Sequence, residues 1–390
     1  MKLIHLADLH IGKKFNEISL EEDQRIILRQ ILDLAKVEKP DAVLISGDVY
    51  DKAQPAAYSI NILDAFLSEL AKYSKNILMI AGNHDAPARI AYGKDLFANL
   101  NIFVAGKLAG YPDVIRLFDE FGAVNFVLLP FFRLHELKVL FPEHLENFNN
   151  YTDAVSFLLN GLALPKHERK VILSHQFFSG IDQAILSDSE MDIVGGLDYI
   201  DAKILLDFTY AALGHLHRPQ RLLQDKIRYA GSPLAYSFSE MNQTKIVPLV
   251  YLDERLDDCN IKKVPLKPLR EVREIKGRFA DLLSEAASVE KSKRYDLLRV
   301  VLTDNKRLVN PMRRLQVYYP NIVQLLYESD EQEMKKDELL YAKKVQEKNF
   351  LELFADFYKE QNDRELSDDD KSRINRIWNK IQEERERTER

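Results

Sequence analysis

Residues 3–10 read LIHLADLH, an apolar run that stops abruptly at Asp8-Leu9-His10. The same order, an apolar segment followed by polar side chains, recurs four times before residue 218. The later instances are Ser46-Gly47-Asp48, Gly82-Asn83-His84-Asp85, Ser174-His175 and Gly214-His215-Leu216-His217. In α/β folds, functional groups collect beyond the carboxyl ends of strands. The repeated pattern therefore predicts an α/β fold in which five strand ends contribute to one site.

The predicted strands are short and mostly apolar. They are Leu3–Ala7, Ala42–Ser46, Ile77–Ala81, Val124–Leu129, Val171–Ser174, Tyr210–Leu213, Ile227–Ala230 and Ile246–Leu252. The first few are nearly continuous apolar runs, which indicates burial on both faces. Two amphipathic helical stretches lie between them. Their apolar faces comprise Ile26, Ile27, Ile31 and Leu34, and then Ile60, Leu63, Phe66, Leu67 and Leu70. This alternation predicts a layered α/β core with β-sheets flanked by helices.

The length of 390 residues predicts more than one domain. We expect the α/β core to cover residues 1–265 and a small α+β module to cover residues 266–330. In that module the pattern predicts a helix around Arg273–Ala287 and strands at Leu297–Leu302 and Ile322–Leu326. Asn310 and Pro311 are typical of the start of a further helix.

Residues 331–390 form a charged segment with two apolar stripes, which predicts two amphipathic helices. The stripes are Phe350, Leu353, Phe354 and Phe357, and then Ile374, Ile377, Trp378 and Ile381. Ser367 with Asp370 resembles a capping box before the second stripe, and the break falls between residues 362 and 367. Isolated helices of this length are marginal, so each stripe needs a surface to pack against. That surface is either the rest of the chain or a partner groove.

The overall composition is that of a soluble globular protein. Cys259 is the only cysteine, no apolar run approaches a membrane span, and the first residues do not form a signal peptide. We therefore expect a cytoplasmic protein. The net charge of −6 argues against coating nucleic acid by bulk charge, although it allows a local basic groove.

The polar residues at the strand ends have the chemistry of a two-metal site. The candidate ligands are Asp8, His10, Asp48, Asn83, His175, His215 and His217. Carboxylate, imidazole and amide groups without cysteine suit Mn²⁺, Fe²⁺ or Zn²⁺, and paired metals cleave phosphate esters. The bland alternative is that each Asp is a helix cap or turn residue and each His is structural. Five of the nine histidines fall in these motifs, which that alternative does not predict.

The five motifs, in this order, resemble the calcineurin-like metallophosphoesterases. More narrowly, the N-terminal LADLHIGK and the stretch YAGSPLAYSFSE at residues 229–240 resemble the SbcD nuclease subunits of bacterial exonucleases. The resemblance implies that Asp8, His10, Asp48 and His217 bind one Mn²⁺. It implies that Asp48, Asn83, His175 and His215 bind a second, with Asp48 shared.

The resemblance also implies the catalytic residues. His84 would protonate the leaving oxygen, and Asp85 would orient His84. Some relatives carry a histidine three residues after the shared Asp, where this chain has Asp51, so that residue's role does not transfer. Lys13, Lys14 and Arg89 are candidates for contact with DNA phosphates, with a solvated charged loop as the equal alternative.

For function, the resemblance implies a Mn²⁺-dependent 3′→5′ exonuclease on double-stranded DNA that also cuts single strands and hairpins. It implies a heterotetramer in which two such subunits dimerise through helices near residues 56–98. The helices after residue 340 would bind the coiled coil of an SbcC-type ATPase subunit, and the module at 266–330 would be a capping domain. Two alternatives remain open: a metallophosphoesterase for a small phosphodiester or a phosphoprotein, and a scaffold with an inactive site.

Overall fold

The computed structural model describes residues 1–180, 199–286, 288–330, 350–362, 364–367 and 369–378. The strands are β1 Lys2–Leu6, β2 Lys14–Phe15, β3 Ile18–Ser19, β4 Ala42–Ser46, β5 Ile77–Ile80, β6 Ile102–Ala105, β7 Asp113–Asp119, β8 Gly122–Leu129, β9 Arg169–Ser174, β10 Phe178–Ser179, β11 Ile200–Asp201, β12 Tyr210–Leu213, β13 Gln220–Leu222, β14 Gln224–Tyr229, β15 Ile246–Tyr251, β16 Asn260–Pro265, β17 Val272–Gly277, β18 Leu297–Leu302 and β19 Ile322–Tyr327. The α-helices are α1 Glu21–Glu38, α2 Ala57–Leu70, α3 Pro87–Ile90, α4 Lys94–Ala98, α5 Leu134–Leu140, α6 Tyr151–Gly161, α7 Phe279–Ala286, α8 Pro311–Leu315 and α9 Phe350–Asn362.

Two six-stranded sheets form the centre of the α/β core. Their strand orders are β16-β15-β1-β4-β5-β6 and β13-β14-β12-β9-β8-β7. In the first sheet β1, β4, β5 and β6 are parallel, and in the second β8, β9, β12 and β14 are parallel. The remaining strands add antiparallel edges. Parallel strands end at the same edge of a sheet, so the five polar motifs are brought to two neighbouring strand edges.

Three apolar layers hold this core together. The layer between the sheets contains side chains from both, among them Leu44, Phe126 and Leu173. A second layer packs the outer face of the first sheet against α1 and α2 through residues such as Ile31 and Phe66. The third packs the second sheet against α5 and α6. The predicted layered architecture, with sheets flanked by helices, is confirmed.

All eight predicted strands of the core are present, with ends that shift by up to three residues. Of the strands in the two six-stranded sheets, β6, β7, β13 and β16 were not predicted. Strands β7 and β16 are largely exposed and carry no clear apolar run. The helix face of α1 is buried at Ile27 and Ile31 as expected. On α2, however, Ile60 remains 40% exposed and Ile62 takes the buried position.

The prediction of a helix from Arg273 is wrong for its first six residues. Residues Val272–Gly277 form β17, and the helix α7 begins only at Phe279. The amide of Leu297 donates to the carbonyl of Glu271, and the amide of Thr303 donates to that of Gly277. These ladder hydrogen bonds with a neighbouring strand override a weak local helix preference.

The chain divides into two compact units. One comprises Met1–Glu274, Ser288–Arg299 and Leu315–Val323, and the other comprises Ile275–Ala287, Val300–Arg314 and Gln324–Arg390. The three-way division at residues 265 and 330 stays a prediction. Among the residues described, no helix is long and apolar enough to cross a membrane.

The tail contains α9 and a second helical stretch at residues 369–378. Ser367 accepts a hydrogen bond from the Asp370 amide at 3.2 Å and donates to the Asp370 carboxylate at 2.6 Å, so Ser367 caps this second helix. Ile381, the last member of the second predicted stripe, lies outside the described residues.

Candidate metal centre

The polar motifs follow β1, β4 and β5 in one sheet and β9 and β12 in the other. The loops that carry them are joined by backbone hydrogen bonds. The amide of Asp8 donates to the carbonyl of Gly47 at 3.1 Å, and that of His10 donates to the carbonyl of Asp48 at 2.9 Å. The seven candidate ligands thereby come from segments far apart in sequence into one cluster, which is buried except at the half-buried Asn83.

Four of these residues have backbone conformations that L-amino acids rarely adopt. The φ angles are 52° at Asp8, 43° at His10, 49° at Asp48 and 99° at His215. Such conformations cost about 1–3 kcal/mol each and persist where the surrounding structure enforces them. Strain concentrated at four polar residues of one cluster indicates that the fold is organised around a function there.

Glycine is required at two points of close approach. A Cβ atom on Gly82 would overlap the carboxylate and amide of Asp48, and one on Gly214 would overlap the carbonyl oxygen of Ser46. Larger residues at either position would push the loops apart. Gly82 therefore lets two loops of the first sheet meet, and Gly214 lets a loop of the second sheet meet β4 of the first.

Contacts within the cluster fall into two groups that share Asp48. In the first, His10 Nε2 lies 3.1 Å from His217 Nε2 and 3.5 Å from Asp48 Oδ2. Asp8 joins His10 and His217 in a set whose ligand atoms all lie within 4.8 Å of one another. This group contains two carboxylates and two imidazoles.

In the second group, His175 Nε2 lies 3.3 Å from Asp48 Oδ2 and 3.1 Å from Asn83 Oδ1. His215 Nδ1 lies 3.1 Å from the same Asn83 oxygen. His175 Nε2 also lies 3.9 Å from Asp8 Oδ1, so Asp8 of the first group has a contact in the second group as well. Asp48 Oδ2 makes the shorter contacts with both groups, at 3.5 Å from His10 and 3.3 Å from His175.

Hydrogen bonds fix which nitrogen two of the imidazoles present to the cluster. His175 Nδ1 lies 2.7 Å from the carbonyl of Ser46, and His84 Nδ1 lies 3.1 Å from the carbonyl of Asp51. A carbonyl oxygen only accepts, so Nδ1 carries the hydrogen in both rings. Nε2 is therefore the nitrogen that faces the carboxylates, and it carries the lone pair when the ring is neutral. This arrangement is usual for imidazoles that bind metals.

Burial and mutual charge perturb the protonation of the cluster. Burial raises the pKa of Asp8 to about 7, with a further rise from Asp48. Burial lowers the pKa of His215 to about 3. Burial also disfavours the charged form of His175, but Asp48 and Asp8 outweigh it and raise the pKa of His175 to about 9. The buried carboxylates thus require positive charge beside them, and in the protein alone His175 supplies it.

Divalent metal ions fit this donor set. Within the described residues, the buried Oδ2 of Asp8 has no hydrogen-bond partner. Two imidazole nitrogens, of His10 and His217, face each other at 3.1 Å, which is unfavourable unless a proton or a cation lies between or beside them. Oxygen and imidazole donors without thiolate suit borderline divalent ions. The cluster can therefore hold divalent metals.

His84 lies at the rim of the cluster and is partly exposed. Its side chain is 30% accessible, and its Nε2 is 4.0 Å from Asp48 Oδ2. Its backbone amide donates to Asp48 Oδ1 at 2.9 Å. These contacts leave the ring edge accessible from outside while the backbone is fixed to the centre of the site.

The contacts of Asp85 and His84 place any effect of Asp85 on the His84 ring through the backbone of the loop. The Asp85 carboxylate accepts hydrogen bonds from the amides of Val49, Tyr50 and Gly82, at 3.1, 2.9 and 2.9 Å. It therefore ties the loop after β5 to the loop after β4, and the Asp51 carbonyl makes the contact to the His84 ring. The resemblance implied the role of Asp85 but could not show that its carboxylate bonds backbone amides of two loops.

The three candidate DNA contacts differ in their surroundings. Lys13 Nζ pairs with Asp51 Oδ1 at 2.8 Å and is 21% accessible. Lys14 and Arg89 are exposed. Asp51 thus neutralises Lys13 and lies 3.7 Å from His10 Nδ1. Of the three cations, Lys14 and Arg89 are therefore the exposed ones.

Sequence reasoning missed three residues that support the site. Glu240 is buried beside His217, with Oε1 3.3 Å from Nδ1. Tyr236 donates to the carbonyl of Leu9 at 2.6 Å, and Gln24 donates to the carbonyl of His10 at 2.7 Å. The only sequence signal was the quoted stretch at residues 229–240, which ends in Glu240 but does not reveal its partner.

Comparison with known proteins agrees with this geometry. The calcineurin-like phosphoesterase family matches residues 1–219, and the type 5 capsule protein repressor C-terminal domain family matches residues 268–362. The SbcD subunit of the SbcCD nuclease of Staphylococcus epidermidis (strain ATCC 12228 / FDA PCI 1200) is 33% identical over 329 residues, which cover 83% of this chain and 85% of the relative.

Solved structures show a more distant similarity. A dimetal phosphatase from Danio rerio is 13% identical, covers 65% of this chain and 93% of its own, and has a TM-score of 0.38. The phosphopantetheinyl hydrolase of Mycobacterium tuberculosis is 16% identical, covers 60% and 90%, and has a TM-score of 0.33. Similarity at this level does not define a substrate.

The layered fold, the shared-carboxylate cluster and the match over residues 1–219 define a calcineurin-like phosphoesterase, a hydrolase of phosphate esters. Within that class, the chain belongs to the family of SbcD nuclease subunits.

Proposed function

We propose that the chain is the nuclease subunit of a cytoplasmic complex that processes DNA ends and hairpins in repair and recombination. In this proposal it hydrolyses phosphodiester bonds with two divalent ions, Mn²⁺ by preference, as a 3′→5′ exonuclease on double-stranded DNA and an endonuclease on single strands and hairpins. The observation that carries it is the pair of ligand groups that share Asp48, in a chain 33% identical to an SbcD subunit over most of its length.

Seven residues would hold the two ions. Asp8, His10, Asp48 and His217 would bind one, and Asp48, Asn83, His175 and His215 would bind the other. When bound, such ions supply Lewis-acid charge and make water a better nucleophile at neutral pH. The carboxylate charge already gathered in the buried cluster offsets the cost of bringing these cations out of water. The strained loops fix the donors before the ions arrive, so little reorganisation is needed.

His84 would act on the leaving group. Because its Nδ1 hydrogen is held by the Asp51 carbonyl, Nε2 is the nitrogen that exchanges a proton with the substrate. In its protonated form it donates to the 3′ oxygen as the P–O bond breaks, and its positive charge stabilises the transition state. Asp85 supports this role indirectly, since it fixes the loop that carries His84.

Two further surfaces suit the proposed assembly. Near residues 56–98, Tyr92 is 82% exposed, Leu96 is 73% exposed and Ile60 is 40% exposed, an apolar patch that fits a contact between two nuclease subunits. In the tail, Phe357 is 58% exposed on α9. We propose that residues 331–390 bind the base of the coiled coil of an SbcC-type ATPase, and that residues 266–330 cap the bound DNA.

The test is cleavage of end-labelled hairpin and linear duplex DNA by the full chain, with Mn²⁺ and with EDTA. We expect cleavage only with Mn²⁺. The His84→Ala variant should bind metal normally and cleave roughly 10²–10⁴-fold more slowly, the usual size of general acid catalysis. His135→Ala, an exposed histidine away from the cluster, is the matched control and should cleave as wild type does.

Each alternative predicts a different result. A phosphoesterase for small substrates would hydrolyse bis-p-nitrophenyl phosphate and leave both DNA substrates intact, even with the ATPase subunit and ATP present. A scaffold with an inactive site would do neither. Full Mn²⁺-dependent activity in His84→Ala would show that His84 has no catalytic role.

A further inference from the structure

A buried ion pair lies behind one of the candidate ligands. Glu240 is fully buried and Lys245 is 7% accessible, and Lys245 Nζ lies 2.6 Å from Glu240 Oε2. Ser232 and Ser237 also donate to the Glu240 carboxylate, at 3.3 and 2.9 Å. Buried charges are expensive unless they are paired and hydrogen-bonded, and a hydrophobic pair of the same volume is often at least as stable. Stability alone therefore gives little reason for a carboxylate at this position.

The same network contacts His217 at two points. On the main chain, Lys245 Nζ donates to the His217 carbonyl at 2.9 Å, and the Ser232 amide donates to it at 3.0 Å. On the ring, His217 Nδ1 lies 3.3 Å from Glu240 Oε1. Both the backbone and the imidazole of His217 are thereby fixed in place.

The contact with Glu240 also selects the ring nitrogen that faces the cluster. An ionised carboxylate only accepts hydrogen bonds, so His217 Nδ1 carries the hydrogen and Nε2 carries the lone pair. That Nε2 is the atom 3.1 Å from His10 Nε2, in the group with Asp8. Ser46 performs the same task for His175 through a backbone carbonyl. The two imidazoles are thus oriented by different kinds of acceptor.

We infer that Glu240 is a positioning residue: it orients His217 for the metal bound by Asp8, His10, Asp48 and His217, and Lys245 compensates its charge. This inference rests on the proposed metal-dependent function and adds a residue to it. In this role Glu240 is neither a metal ligand nor a substrate contact, and it acts through His217. Partners of this kind typically change metal affinity by 10–100-fold.

Two double variants separate positioning from stability. Glu240→Gln with Lys245→Met removes both buried charges but keeps an oxygen that accepts from His217 Nδ1. Glu240→Met with Lys245→Met removes the charges and the acceptor. The variants thus differ mainly in the acceptor for His217. Isothermal titration of the full, metal-free chain with Mn²⁺ gives the number of ions and their Kd, and thermal unfolding gives the Tm.

We expect two Mn²⁺ sites in the wild type and in the Gln/Met variant. In the Met/Met variant one site should weaken by about 10–100-fold while the other keeps its affinity. The two variants should have a similar Tm when no metal is present. A selective loss at one site, rescued by glutamine, is a result that a merely structural ion pair does not produce.

Other outcomes overturn the inference. Equal Mn²⁺ affinities in the Met/Met variant and the wild type would remove the role of Glu240 and leave the proposed function intact. Weakening of both sites in parallel with a lower Tm would make the ion pair structural. Absence of Mn²⁺ binding by the wild-type chain would instead contradict the proposed function itself. As a control for loss of a buried ion pair elsewhere, Asp119→Asn removes the charge that pairs with Arg169 and with the N-terminal amine. This variant should have a lower Tm and unchanged Mn²⁺ sites.

Discussion

The loops of the candidate metal centre and the tail helix α9 differ in the kind of side chain that they bury. In the loops, Asp8 and His175 are fully buried, and the backbone at Asp8 and Asp48 is held in strained conformations. On α9, Phe357 is 58% exposed in a regular helix of 13 residues. In the loops, burial of polar groups and backbone strain lower the stability of the fold. On α9, an apolar side chain remains exposed to solvent.

This difference indicates that the loops suit metal chemistry and that the helix suits partner binding. Metal chemistry needs donor atoms fixed before the ion binds, so it depends on loops anchored by two sheets and by buried bonds such as those of Asp85. Partner binding gains its free energy from apolar area covered on association. A short helix with an exposed aromatic side chain suits that purpose, since isolated helices of this length are marginal and are stabilised by packing in a groove.

Removing the shared carboxylate should have the largest effect. Asp48 has contacts in both ligand groups, so Asp48→Ala should reduce bound Mn²⁺ from about two ions to at most one and abolish DNA cleavage. Metal content after gel filtration, together with the cleavage assay, measures this. Asp33→Asn, an exposed position on α1, is the control. Two retained ions in Asp48→Ala would show that the carboxylate is not shared.

Changes in the tail should weaken association with the ATPase subunit and leave Mn²⁺-dependent DNA cleavage unchanged. Deleting residues 340–390 should abolish co-purification with the ATPase subunit while Mn²⁺-dependent cleavage continues. Phe357→Asp should weaken that association by about 2 kcal/mol, or roughly 30-fold in Kd, as for an aromatic residue central to an interface. Gln361→Ala, exposed on the same helix, should bind normally. Unchanged binding by the deletion variant would place the partner contact elsewhere.

A smaller effect is expected at the rim of the metal centre. Lys14 is exposed, so Lys14→Ala should weaken DNA binding roughly two- to five-fold, the size of one exposed ionic contact, and lower the slope of log K against log salt by about one. Binding titrations at several salt concentrations measure both. Lys36→Ala, exposed on α1, serves as the control. No change in the salt slope would mean that Lys14 contacts no phosphate.

Much of the core could be predicted because local pattern and tertiary structure agree there. Strands such as Ala42–Ser46 are apolar on both faces and buried on both faces, so their residues specify them directly. The edge strands β7 and β16 were missed because half-exposed strands lack that pattern. Strand β17 was taken for a helix because its hydrogen bonds to a neighbouring strand cannot be read from local sequence.

By itself, the sequence determined the layered α/β core and the polar residues at five strand ends, because residue type and spacing carry that information. Only the tertiary structure decided which atoms meet. In the tertiary structure the Asp51 carbonyl accepts from the His84 ring, and the Asp85 carboxylate accepts from three backbone amides. Glu240 lies beside the His217 ring. These contacts join loops distant in sequence, and their partners are set by how two sheets pack and how strained loops turn.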